Sequence, residues 1–335
     1  NRKIYSDTLW ELAAAEVQGR EEDGGDAASE RTVFLLGSKA GGKTSILLRC
    51  LDRDEPPKPT LALEYTYGRR ARGHNTPKDI AHLWELGGGI SLSDLIQIPI
   101  TALNIKSLAV ILVLDLSKPN ALWGTMERLL QTTQAHVEKA CSQAQRAGKA
   151  KAGAKQKASS QPAARVLPKD YPDRELISPF PVPLLIIGSK YDIFQEFDSE
   201  KKKVVSKTLR FVAHYYAASL IVSTPLSLST DYNKPLIIPA GSDSFSQIGS
   251  PPSTNVNIDS LHAKNPKDLW EKVYEHVFPS ESFSEHRELK DPARDPQYSE
   301  PQIDAMRAQK DQVKHPQQPL ACTVSWYSVP ASLHH

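Results

Sequence analysis

The stretch Thr32–Leu48, TVFLLGSKAGGKTSILL, limits the possible folds more than any other part of the chain. A β-branched and aromatic run leads into Gly37, four further residues, then Gly42, Lys43 and Thr44, and an apolar pattern of helical spacing follows. Strand, glycine loop and helix in that order form the Walker A pattern in its required setting. The glycines let backbone N–H groups turn inward around an anion, Lys43 reaches the terminal phosphates, and the Thr44 hydroxyl can hold Mg²⁺. The helix opening at Lys43 aims its positive end at the same phosphates. The candidate phosphate-binding residues are therefore Gly37, Lys39, Gly41, Gly42, Lys43, Thr44 and Ser45. Such a signature speaks for fold before it speaks for occupancy, so a loop that keeps this shape without ligand stands beside the nucleotide reading.

A chain of 335 residues has room for one large α/β domain with extensions, or for two modest ones. Its longest apolar run, Leu108–Leu114, is too short to span a bilayer, and Asn1–Leu9 is too polar for a cleavable signal, so no membrane insertion is expected. The 41 Lys and Arg nearly balance 39 Asp and Glu, which removes the electrostatic argument for a nucleic-acid partner. Cys50, Cys141 and Cys322 lie far apart without metal-ligand spacing, as in a reduced intracellular protein.

Before the loop, Asp7–Gln18 has the spacing of a short amphipathic helix with Leu9, Trp10, Leu12, Ala13 and Val17 on one stripe, and Glu21–Glu30 reads as an acidic linker. After it, a proline-stiffened loop ends at Pro59-Thr60 and runs into the alternating strand Leu61–Tyr67. Thr60 is the candidate sensor of Mg²⁺ and the γ-phosphate, at the place of a GTPase switch I threonine. The next strand, Ile80–Leu86, exits through Gly87-Gly88-Gly89, where GTPases carry Trp-Asp-x-x-Gly-Gln. Gly88 can offer its N–H to a γ-phosphate, and Glu85 stands for the acid that supports Mg²⁺. Gly89 replaces the water-orienting glutamine and has no side chain for the task. A plain flexible turn accounts for the three glycines as well.

Ser107–Asp115 is apolar throughout, as a strand covered on both faces of a parallel sheet must be. Asp115 at its end is expected to cap the Ser117–Asn120 turn, with a contact to nucleotide as the alternative. Leu122 to about Ala140 is helical; Ala144–Arg165 reads as a frayed end and solvated insertion. The strand Pro181–Gly188 ends in Ser189-Lys190-Tyr191-Asp192, where GTPases have Asn-Lys-x-Asp. Asp192 can accept two hydrogen bonds from guanine and the Lys190 stem can cover the base, while Ser189 lacks the amide that would tie this loop to the P-loop. Helix Glu200–Ala217 and strand Ser219–Thr224 follow, and Pro225 stands where a Ser-Ala-Lys-type base loop would be. The ten residues from Pro225 to Lys234 are too few for a packed helix before Leu236-Ile237-Ile238. Asn265 caps a convincing amphipathic helix, Pro266–Phe278.

These elements predict an α/β fold: a doubly wound, mostly parallel sheet of the P-loop, Ras-like type. Residues 31–280 form that domain, with a polar insertion at about 144–170; 1–30 hold the helix and linker, and 281–335 an extended, partly disordered arm. The runs Arg49–Tyr65, Leu83–Gly89 and Asp291–Tyr298 closely resemble the dynein light intermediate chains, and specifically those of the cytoplasmic dynein-2 motor; the likeness covers about Asp7–Gln312. It implies a Ras-like accessory subunit that binds the dynein-2 heavy chain among other dynein-2 subunits. It also implies a role in retrograde intraflagellar transport and cilium assembly, in the cytoplasm, cilium and basal body. That family has a further helical segment after the strand ending near Thr224, absent here. Glu85, Gly89 and Lys39, at a loop position usually given to glycine, lean against turnover, since a Lys39 side chain crowds any arginine supplied in trans. The expectation is GTP or GDP, with Mg²⁺ on Thr44 and Thr60, retained and not hydrolysed. The alternatives are an active small-GTPase-like switch and, more weakly, a P-loop kinase or ATPase.

Overall fold

The computed structural model describes residues 30–71, 78–152, 165, 167–222, 236–252, 262–280 and 300–314. Seven strands are present among them: β1 Glu30–Gly37, β2 Leu63–Ala71, β3 Lys78–Leu86, β4 Leu108–Asp115, β5 Leu184–Ser189, β6 Ser219–Val222 and β7 Leu236–Ile238. They form one sheet in the order β2-β3-β1-β4-β5-β6-β7. The five central strands run parallel; β2 and β7 close the two edges antiparallel. The chain leaves β1 first toward β3 and later toward β4, so the crevice for a ligand lies at the carboxyl end of β1, where the Walker loop is.

Two layers cover the sheet. Helix α1 (Lys43–Cys50) packs Leu47 against Leu35, Ala81 and Leu83 on one face. On the other face Phe34, Leu36, Val110, Leu112 and Leu114 meet α2 (Pro119–Ala152) through Leu122, Met126, Leu129 and Leu130. The same layer holds a 3-10 helix (Gly89–Gln97), the short α3 (Tyr191–Gln195), α4 (Ser199–Tyr215), the short α5 (Phe245–Ile248) and α6 (Pro266–Val277). The predicted cap of α6 is in place: Asn265 Oδ1 accepts from Asp268 N–H at 2.8 Å, ahead of Pro266 at the first helical position. Trp270 of α6 stacks on Phe211 of α4 with ring centres 4.7 Å apart, and Tyr274 donates to Pro119 O at 2.9 Å.

Several expectations differ from the structure. The helix expected to fray near Ala140 continues to Ala152, because Ala, Lys and Gln need no apolar stripe to favour a helix. β6 pairs antiparallel with β7, and the connection between them lies outside the described residues. By contacts the chain divides into residues 1–281 and 282–335. In the second unit, expected to be extended, Pro301–Lys314 forms helix α7. The Trp10 segment, Pro225 and Asp291–Tyr298 lie outside the described residues.

Candidate functional site

The loop between β1 and α1 has the geometry its glycines predicted. Gly42 takes a left-handed φ of 85° as N-cap of α1, and Ala40 is left-handed as well at 54°. Lys43 is 4 % exposed and its ammonium donates to Ser38 O at 2.8 Å, so it curls into the loop. Burial lowers its pKa, with the Glu85 charge pulling the other way. A buried ammonium bonded to a single carbonyl, with a carboxylate charge nearby, has donors left with which to receive an anion.

Thr44, Glu85 and Thr60, distant in sequence, converge. The Thr44 hydroxyl donates to Glu85 Oε1 at 2.8 Å. Thr60 donates to Glu64 at 2.9 Å, and its segment lies along the exit of β3, where Gly87 N–H donates to Ala62 O at 2.7 Å. A Cβ on Gly87 would come within 2.2 Å of Thr60 O, so only glycine admits this approach. Glu85 is 2 % exposed, and its second oxygen, Oε2, is buried without a hydrogen bond. Burial pushes the Glu85 carboxyl up; the Thr44 bond, the Lys43 charge and the nearby Thr60 hydroxyl oppose this, and Glu64 adds to it. An orphaned carboxylate oxygen beside a threonine hydroxyl is a donor set that suits Mg²⁺, a hard cation. Thr44 and Glu85 are thus the residues that fit the ion, and Thr60 stands next to them with its hydroxyl turned to Glu64.

Gly88 (φ 69°) caps the 3-10 helix, and Gly89 (φ 62°) opens it. A Cβ on Gly89 would sit 3.1 Å from Lys39 N, and the left-handed backbone strains any L side chain. The loop that would carry a water-orienting residue is therefore shaped against one. Gly87–Gly89 form the turn from β3 into the 3-10 helix.

The Lys190 loop, the candidate base end, is built differently. Lys190 is left-handed (φ 57°), and its ammonium donates to Asp115 Oδ2 at 2.6 Å. Asp192 is exposed in the first turn of α3. Asp115 caps its turn as predicted, accepting from Ser117 N–H at 3.0 Å, and it does more. Its own N–H donates to Ser38 Oγ at 3.1 Å, so Asp115 links the P-loop to the Lys190 loop. The tie that Ser189 cannot make runs through Asp115; Ser189 Oγ instead donates to Leu114 O. Sequence reasoning missed this role, although a carboxylate at the end of the central strand beside the P-loop was its signal.

A β2-β3-β1-β4-β5-β6 sheet carrying a Walker loop, with an acid from β3 against the Walker threonine, defines a P-loop domain of Ras-like type. Within that class the chain belongs to the dynein light intermediate chain family, whose sequence profile matches residues 5–202. Cytoplasmic dynein 2 light intermediate chain 1 of Danio rerio is 62% identical over 342 residues, covering 92% of this chain and 94% of that one. The Homo sapiens protein of the same name is 57% identical over 336 residues, covering 91% and 93%. Homo sapiens cytoplasmic dynein 1 light intermediate chain 1 is 29% identical over 131 residues, 39% of this chain and 24% of that one.

Proposed function

We propose that this chain is a non-catalytic accessory subunit of the cytoplasmic dynein-2 motor, binding the heavy-chain tail and supporting retrograde intraflagellar transport and cilium assembly. The observation that carries this reading is the 62% identity, along 92% of the chain, to a dynein 2 light intermediate chain. The dynein 1 counterpart matches only 39% of the chain. Its places of work are the cytoplasm, the basal body and the cilium. Residues 31–280 are the nucleotide-type body, and 1–30 and 281–335 flank it. Co-expression of the tagged full chain with either heavy-chain tail tests the assignment: co-elution with the dynein-2 tail and not the dynein-1 tail is expected. Absence of a dynein-2 complex overturns it.

Within that role the domain holds GTP or GDP with Mg²⁺ as a structural ligand and does not turn it over. When bound, Mg²⁺ would neutralise phosphate charge. Lys43 and the loop N–H groups bind the phosphates, and Thr44 and Glu85 hold the ion. Asp192 reads the base, with Lys190 paired to Asp115 beside it. The left-handed Gly89 supports the absence of turnover, because nothing there orients a water. Nucleotide extracted from natively purified protein should be stoichiometric and missing from Lys43→Ala. Multiple-turnover hydrolysis by pure protein, lost in Lys43→Ala, would establish the switch reading instead.

A further inference from the structure

We propose that Lys39 sets the preference of this site among nucleotides: its ammonium uses the space Gly89 leaves empty and binds the terminal phosphate of a triphosphate. The inference rests on the nucleotide reading above and assigns a role within it.

The two lysines of the loop are placed for different tasks. Lys43 is buried and bonded to Ser38 O. Lys39 is exposed and makes no hydrogen bond or ion pair among the described residues, so its flexible stem can follow a ligand. Its backbone is fixed where that matters. A Cβ on Gly89 would lie 3.1 Å from Lys39 N and 3.5 Å from Lys39 Cβ, so the Lys39 stem rises directly beside a residue with no side chain. A long side chain at position 89 would contend with Lys39 for one volume. The glycine at 89 and the lysine at 39 are therefore complementary.

Charge gives the second argument. The inner phosphates are met by loop N–H groups and Lys43, whereas a third phosphate adds negative charge at the loop mouth, on the side where Glu85 is already buried against Thr44. Lys39 adds a cation there, beside Lys43 and any bound Mg²⁺. Chemistry gives the third. An ammonium has three donors and no acceptor, so it can bind phosphate oxygens but cannot accept a proton from, or align, an attacking water as a glutamine carbonyl does. Lys39 in place of an orienting side chain favours holding a triphosphate over cleaving it.

The test is competition binding on the full chain with Mg²⁺, using GDP and an imido-bridged GTP analogue against a fluorescent nucleotide. Wild type, Lys39→Ala, Lys39→Gln and Lys39→Arg are compared, with circular dichroism to confirm the fold. An exposed ammonium that competes with water for the phosphate predicts that Ala and Gln weaken the analogue about 5- to 10-fold. GDP should change less than about threefold, and Arg should keep most of the wild-type preference. Equal losses for both nucleotides, or no loss for either, overturn the role of Lys39 and leave the nucleotide reading standing. Wild-type protein that binds neither nucleotide overturns both.

Discussion

Glu85 and Asp243 are buried almost equally, 2 % and 3 % exposed, yet their surroundings treat them in opposite ways. Asp243 receives both arms of Arg210 at 2.8 Å and the Ser244 N–H at 3.0 Å. Nearby, Asp173 accepts from His214 Nε2 at 2.8 Å and from Phe245 N–H at 2.7 Å, so a second carboxylate, with its lone pairs answered, ties α4 to α5. Glu85 has one hydrogen bond and one empty oxygen. Burying a carboxylate costs stability unless its lone pairs are answered. The first arrangement maintains the fold, while the second carries a penalty that a proton or a bound cation would relieve. Buried carboxylates of both kinds in one domain separate architecture from candidate site by chemistry.

The largest effect should come from breaking the satisfied pair. Asp243→Ala leaves the Arg210 guanidinium buried without its carboxylate and should cost about 3–5 kcal/mol, read as a lower denaturant midpoint. Any nucleotide affinity of the protein that remains folded should be unchanged. A cost under about 1 kcal/mol would mean that Asp243 contributes no more than an exposed pair does. Next is Lys190→Met, which strips the partner from Asp115 but leaves the stem. The Lys190 side chain is 32% exposed and that of Asp115 only 2%, so water meets part of the loss. About 1–2 kcal/mol is expected, in the same denaturation measurement.

Glu85→Gln should act with the reverse sign. Burial raises the Glu85 pKa above its ordinary 4.5, so the folded, ligand-free protein binds the proton more tightly than the unfolded chain does. Stability from this group is therefore fullest below the ordinary value and falls as pH rises through the window up to the raised one. Gln removes that fall. In the absence of nucleotide and Mg²⁺ the variant should melt about 2–4 °C above wild type near neutral pH, and the gap should close in acid. With nucleotide present, the variant should lose most of the affinity gained on adding Mg²⁺, about tenfold. A variant that melts lower at every pH would place Glu85 with Asp243, as architecture.

The phosphate end was legible in the sequence because its signal is local: Gly37 to Thr44 fold their own loop, and β1 and α1 read on either side of it. The α6 cap at Asn265 and Pro266 was legible for the same reason. What escaped is tertiary. Asp115 and Lys190 are 75 residues apart and Arg210 and Asp243 33 apart, and no periodicity pairs them. Lys190 has one side chain and two chemically reasonable uses, base cover or ion pair, and only the approach of β4 to β5 shows which partner is near. The conflict between Gly89 and Lys39 is likewise invisible until two loops meet. Helix α7 escaped for another reason: its residues 301–310 are exposed, so no apolar stripe marked it.

Asp192→Ala gives the smallest effect and sharpens the comparison most finely. If recognition were shared evenly along the site, removing a carboxylate that accepts two guanine hydrogen bonds would cost several kcal/mol and abolish selection against adenine. The built features lie elsewhere: the buried ammonium, the carboxylate oxygen without a hydrogen bond and the glycine turn are all at the Walker loop. Asp192 is exposed, and the lysine beside it is committed to Asp115. An exposed group that must compete with water contributes about 0.5–1.5 kcal/mol, so GDP affinity should fall only about 2- to 10-fold. Preference for GDP over ADP should narrow by the same factor, with melting temperature unchanged. Competition of both nucleotides against one fluorescent probe measures this directly. A loss beyond about 100-fold would mean that the Lys190 loop rearranges on binding and that both ends of the site share recognition.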